Sequence, residues 1–180
     1  MTVGHHGQVV TPELLLRNGP SLAVSGAPNP LLAEDSFEEA MISDVWLCAT
    51  ESSVGVLIDL RMTDAFDDHD LAVLILRNPT DIRWTSRPAP EADQGRPQWF
   101  WRTTLSQRFS ITEDGGVHAA IGLFVDGEDL EIQARRAEFY VGDGHLGDVP
   151  DMASDGAVDI RRRLPNWSTE FAVRDFWSLP

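Results

Sequence analysis

Asp143, His145, Asp148 and Asp151 stand together in the glycine-rich stretch "YVGDGHLGDVPD", residues 140–151. Carboxylates beside an imidazole are the donor types that hold metal ions, so the spacing decides. A calcium loop alternates its oxygen ligands around a turn glycine and closes on a bidentate acid. Acids at 143, 148 and 151 keep no such rhythm. A zinc or iron site would add a second histidine or a cysteine, and His118 lies in a predicted strand. Gly142, Gly144 and Gly147 admit positive φ, so the expectation is a solvated connecting loop without a metal.

The second acidic cluster, "DAFDDHDL" at 64–71, places Asp67, Asp68, His69 and Asp70 consecutively. On an extended chain consecutive side chains point to opposite sides and cannot all converge. An exposed turn is expected, able at most to hold a divalent cation weakly. Asp59 and Arg61, in "VLIDLRM", are two apart on a predicted strand and share a face. They can orient a ligand if that face lines a pocket, or form a simple ion pair if it meets solvent.

Segment 77–108 reverses the charge pattern, with Arg77, Arg83, Arg87, Arg96, Arg102 and Arg108 interleaved with Trp84, Trp99 and Trp101. Arginine beside tryptophan is enriched at binding hot spots and can stack single-stranded bases. The same alternation also describes tryptophans filling a β core while arginines extend from the other face. The candidate ligand or partner set is therefore Asp59, Arg61, Arg83, Trp84, Trp99, Trp101 and Arg102. No catalytic residue and no cofactor is assigned: there is no phosphate loop, nucleophile elbow, dinucleotide fingerprint or two-histidine zinc helix.

The elements that must position these residues are mostly strands. "DVWLCAT" and "SVGVLIDLRM" flank a short polar turn at Glu51 and Ser52 and predict a hairpin. "DLAVLILRN" is almost continuously apolar, which predicts a central strand covered on both faces. "TDIRWTSR", "PQWFWRTT", "LSQRFSITED", "VHAAIGLFVDG" and "LEIQARRAEFYVG" follow, with Leu130, Ile132 and Ala134 on one face. About eight strands at this spacing leave no room for intervening helices. The fold class is mainly β: an antiparallel β-sandwich or partly open β-barrel with one or two short helices.

Helical turns are expected in "AEDSFEEAMI", and a short helix in "SDGAVDIRRRL" before Pro165. Residues 1–33, punctuated by Gly, Pro, Ser and Asn, are expected to form a flexible segment ahead of a single β-rich domain at 34–180. The aromatic tail "NWSTEFAVRDFWSLP" should bury Phe171, Phe176 and Trp177, on its own sheet or across a dimer.

The C-terminal third carries a further pattern. "AEFYVGD", "VPD" and "LPNWSTEF" occur in that order, preceded by "VGVLIDLR" and "IRWTS". This set resembles one shared by small uncharacterised proteins of high-GC bacteria, over residues 44–176. The resemblance implies no activity. Its pattern requires no histidine between the Gly-Asp and Pro-Asp steps, which supports the loop reading of "GHLG".

Composition bounds the remaining possibilities. The 180-residue chain carries a net charge of −15, its basic residues are all arginine, and Cys48 is its single cysteine. Such a field repels nucleic acid and anionic membranes and attracts a basic protein. One thiol with no partner fits a reducing cytoplasm, and its strand-like neighbours predict a buried, inert Cys48. No apolar run is long enough to span a bilayer. The sequence thus points to a cytoplasmic, non-catalytic acidic β protein, monomer or homodimer, of an immunity or regulatory type. The alternatives are a small-ligand or metal-dependent enzyme pocket using Asp59, Arg61 or the 143–151 loop, and a nucleotide or single-strand binder using the Arg/Trp segment.

Overall fold

The computed structural model describes residues 8–19, 22–34, 36–66, 69–85, 104–123, 129–151, 155 and 157–180. Among these residues two antiparallel sheets pack into a β-sandwich, with two short helices. The larger sheet runs β1 (Gln8–Val10), β10 (Phe171–Leu179), β9 (Arg136–Asp143), β4 (Leu71–Arg77), β3 (Ser53–Asp59) and β2 (Met41–Cys48). The smaller runs β5 (Asp81–Thr85), β8 (Asp129–Ala134), β7 (Val117–Leu123) and β6 (Thr104–Ile111). The helices are α1 (Pro12–Asn18) and α2 (Ala157–Arg163).

Alternation along the strands divides the apolar residues between two cores. Val56, Leu74, Phe139 and Trp177 meet Ala119, Ile121, Leu130 and Ile132 between the sheets. On the far face of the larger sheet, Leu57, Val73, Ile75 and Tyr140 form a second cluster with Leu15 and Leu16 of α1. β4 is consequently buried on both sides along "LAVLIL", as its unbroken apolar run predicts. The β2–β3 hairpin closes from Cys48 to Ser53 over Ser52, whose φ is 46°.

The expectation of a flexible segment through residue 33 fails at β1, α1 and Leu31. β1 pairs with β10 from Gln8↔Val173 to Val10↔Phe171. Thr11 caps α1 by accepting from Leu14 N (3.2 Å), Pro12 begins it, and Leu15 and Leu16 are fully buried. Its final carbonyls are also satisfied: Arg77 donates to Leu15 O (2.7 Å) and Leu16 O, and Ser53 Oγ donates to Leu16 O. A seven-residue helix is too short to display a helical period, and its partners lie far along the chain. β1, α1 and Leu31 therefore pack on the sheets rather than standing apart from them.

The expected helical turns at 33–42 are replaced in the described part of that stretch. Residues 36–39 form turns, Glu39 takes a left-handed φ of 66°, and β2 begins at Met41. The α2 helix forms where expected. Phe171, Phe176 and Trp177 are buried on the protein's own sheet, in β10 between β1 and β9.

Two breaks shape the sandwich. "LEIQARRAEFYVG" is two strands, because the chain leaves the smaller sheet at Arg135 and enters the larger one as β9. Beside it, β4 passes into β5 through Asn78, at φ 50°. Arg135 N donates to Arg77 O (3.0 Å) and Thr80 N to Gln133 O (2.8 Å), so pairing continues around this corner. The second break is a β-bulge in β10 between Val173 and Asp175. Before it Phe171 and Val173 face the α1 side; after it Phe176 does, while Trp177 and Leu179 face the inter-sheet core.

Candidate functional site

Strand register gathers the polar residues at one end of the larger sheet. Leu71 pairs with Gly142, and Gly142 with Val173. The residues leading into β4, the end of β9 and the β10 bulge are thus neighbours.

Asp59 and Arg61 meet here as a buried pair, with side chains 2% and 6% exposed. Arg61 donates from Nε to Asp59 Oδ1 (2.9 Å) and from Nη2 to Oδ2 (2.6 Å), a bidentate fork. Its Nη1 reaches the carbonyls of Leu146, Gly147 and Asp148 (2.9–3.2 Å), and Nη2 that of Arg163 at the end of α2 (3.0 Å). Of the two sequence alternatives the structure shows the ion pair, but buried rather than facing solvent, with the guanidinium engaged by Asp59 and by backbone carbonyls of the same chain.

Arg163 completes the clasp, donating to Asp155 (2.7 Å) and to the carbonyls of Asp148 and Val149 (3.1 Å each). From the opposite side the Asp70 carboxylate accepts from Gly144 N and Leu146 N (2.8 Å). The backbone oxygens that a calcium loop turns toward an ion are here turned toward two arginines. Residues 144–150 form a loop without regular structure, and His145 is exposed with φ 53°. Among the described residues no group of three His, Cys, Asp or Glu side chains converges at metal-holding distance.

His69, expected in an exposed turn, is instead part-buried against β9 and β10. Its Nδ1 lies 3.2 Å from Asp143 Oδ1, and its Nε2 lies 3.9 Å from Asp175 Oδ2. Arg174 Nε donates to Asp143 Oδ2 (2.7 Å), and Ser25 Oγ to Asp175 Oδ1 (2.7 Å). Burial opposes the charge on Asp143, but hydrogen bonds from Arg174 and His69 outweigh it and hold the carboxyl below its ordinary range. The bulge makes this cluster possible, re-aiming Arg174 and Asp175 relative to a regular strand. The only sequence signal was the interruption of "FAVRDFW" by two charges, and alternation alone does not reveal a bulge.

His69 borders two clefts. One, of about 630 Å³, is lined by Arg61, Asp70, Asp143, His145 and Asp148, of which Arg61 and Asp70 serve the loop clasp. The other, of about 460 Å³, lies between residues 27–33 with Ser36, residues 64–66 with His69, and β10. Its walls include Pro28, Pro30, Ala65, Phe66 and Trp177, with Asp64, His69 and Asp175 as charged or titratable groups. Gln107, 5% exposed, fixes the outer wall by donating from Nε2 to Pro30 O (3.3 Å), Ala33 O (3.0 Å) and Ser36 Oγ (2.5 Å). Trp177 Nε1 donates to Ala27 O (3.1 Å) and fixes the floor.

The other sequence candidates lie elsewhere. Arg83 and Trp84 are on edge strand β5 of the smaller sheet. Arg83 is exposed and pairs with Asp81 (2.8 Å), while Trp84 is half-buried against the inter-sheet core. Trp99, Trp101 and Arg102 lie outside the described residues. Cys48 is buried in β2, its Sγ 3.4 Å from Thr50 Oγ1. No family model, curated protein or solved structure matches this chain.

Proposed function

We propose that this protein acts by binding rather than by catalysis, in the cytoplasm, with a basic protein as its partner. One observation carries the reading: among the described residues most arginines are engaged within the chain. Arg17, Arg61, Arg77, Arg83, Arg135, Arg136, Arg163 and Arg174 each pair with a carboxylate of the same molecule. With no lysine and a net charge of −15, the excess acids have no cation of their own. Glu38, Glu39, Glu51, Asp148, Asp159 and Glu170 are among the exposed ones. A surface of that sign accelerates encounter with a basic partner and disfavours an acidic one.

The test is capture from a bacterial lysate on the immobilised intact protein, washed at low and then high salt, with mass-spectrometric identification. A basic protein released by salt is the expected result. Capture of only neutral or acidic proteins, or of none that salt releases, overturns the reading. A small-ligand role has its own observation in the cleft that places Asp64, His69 and Asp175 beside Phe66 and Trp177. The single-strand reading is weaker, because Arg83 is already paired with Asp81.

A further inference from the structure

The geometry points to the 460 Å³ cleft as the anchor pocket for an arginine side chain presented by the basic partner. This inference rests on the binding reading above and says where the partner engages. Two features select the occupant. Among the described residues that line the cleft, Asp64 and Asp175 are the carboxylates, His69 is the one imidazole and none is an arginine, so the favoured guest is cationic. The apolar surface comes from Pro30, Phe66 and Trp177, which suits a long aliphatic stem and a flat cation lying against aromatic rings.

Arginine meets both requirements. Its planar guanidinium stacks on aromatic faces and donates several hydrogen bonds in its own plane, whereas an ammonium is a compact and strongly hydrated point charge. Asp175 is positioned to receive it. Ser25 occupies Oδ1 at 2.7 Å, while Oδ2 stands 3.9 Å from His69 Nε2, outside hydrogen-bond range, and retains accepting capacity. The bulge at residue 174 turns Asp175 toward the cleft on the side where Trp177 also faces. The walls are preformed, because Gln107 and the Trp177 indole hold residues 27–33 and Ser36 in place, so an inserted side chain meets a surface that needs no ordering.

The experiment is an NMR titration of the intact, isotope-labelled protein with N-acetyl-arginine methylamide. N-acetyl-norleucine methylamide serves as the uncharged comparison and putrescine as the free small cation. Saturable shifts confined to amides of residues 27–33, 36, 64–66, 69 and 175–177 are expected with the arginine probe and not with norleucine. Asp175→Asn and Asp64→Asn, which keep side-chain shape, should each weaken binding by about fivefold, the range of a partly exposed ion pair. Their unliganded spectra report whether each variant is folded, and either variant alone decides the point. Absent or scattered shifts, equal shifts from norleucine, or tighter binding of putrescine than of the arginine probe would each overturn the assignment. A basic partner captured from lysate that binds both variants like the native protein would keep the binding reading and remove this pocket from it.

Discussion

Arg61 shows how much one side chain can hold together when all its donors face inward. It joins the end of β3, the 146–148 loop and the last turn of α2, so its loss breaks three connections at once. Arg61→Ala would also strand Asp59 as a buried, unpaired carboxylate, at a cost of about 3–5 kcal/mol. A fall of that size in urea-unfolding stability is expected, with little recovery in Arg61→Lys, which cannot reproduce the fork. An unchanged midpoint in Arg61→Ala would show the clasp to be incidental. Asp143 makes a prediction in pH. Its folded-state pKa lies below the ordinary 3.8, so its contribution is complete above that value and is lost as pH falls through the folded value. The stability gap between native protein and Asp143→Asn should therefore close on acidification below about pH 4, as thermal melts across an acid series would show. The sequence placed Asp59 and Arg61 on one face of one strand, whereas β3 ends at Asp59 and Arg61 reaches it from the turn beyond. It could not display their burial, because the residues that cover them come from 146–148 and 163. His69 was hidden for the same reason: its partners sit on β9 and β10.

At the scale of the element, the docked N-terminus corrects the sequence most. Short elements carry little pattern of their own, and β1 and α1 take their stability from β10 and from the outer face of the larger sheet. Leu15→Ala should cost about 2–5 kcal/mol, the range for a fully buried leucine, measured by chemical denaturation. A loss well below that would mean that α1 detaches readily and that the flexible reading is nearer the truth. Long strands were legible in proportion to how plainly they alternate or stay apolar: β4 was identified as central, and the tail of β10 as buried, either on its own sheet or across a dimer. The corner at Arg135 was not. Nothing in "QARRAEF" distinguishes a strand that changes sheets from one that runs on. The bulge at residue 174 was equally silent, although it decides which way Asp175 points.

For the molecule as a whole, the aromatic tail bears on assembly. Phe171, Phe176 and Trp177 are satisfied within one chain, which removes the main reason to expect a second copy. Like charge between copies, at −15 each, opposes self-association further. Sedimentation velocity over a wide concentration range should give a single, concentration-independent species. A dimer that tightens with added salt would point to an interface not anticipated from this fold.

The corner where β4 turns into β5 and β8 into β9 has a consequence for how the protein opens. The Arg135–Arg77 and Thr80–Gln133 hydrogen bonds make the β4–β9 and β5–β8 ladders one folded ribbon, not two sheets touching through side chains. A ribbon of this kind has no seam along which one sheet can peel away while the other stays intact. Slowly exchanging amides in β5 and β8 should therefore share the opening free energy of those in β4 and β9, as members of one cooperative unit. Native-state hydrogen exchange in rising denaturant would show the four strands merging into a single isotherm, and a separate, lower-energy isotherm for β5 and β8 would show that the crease can unzip.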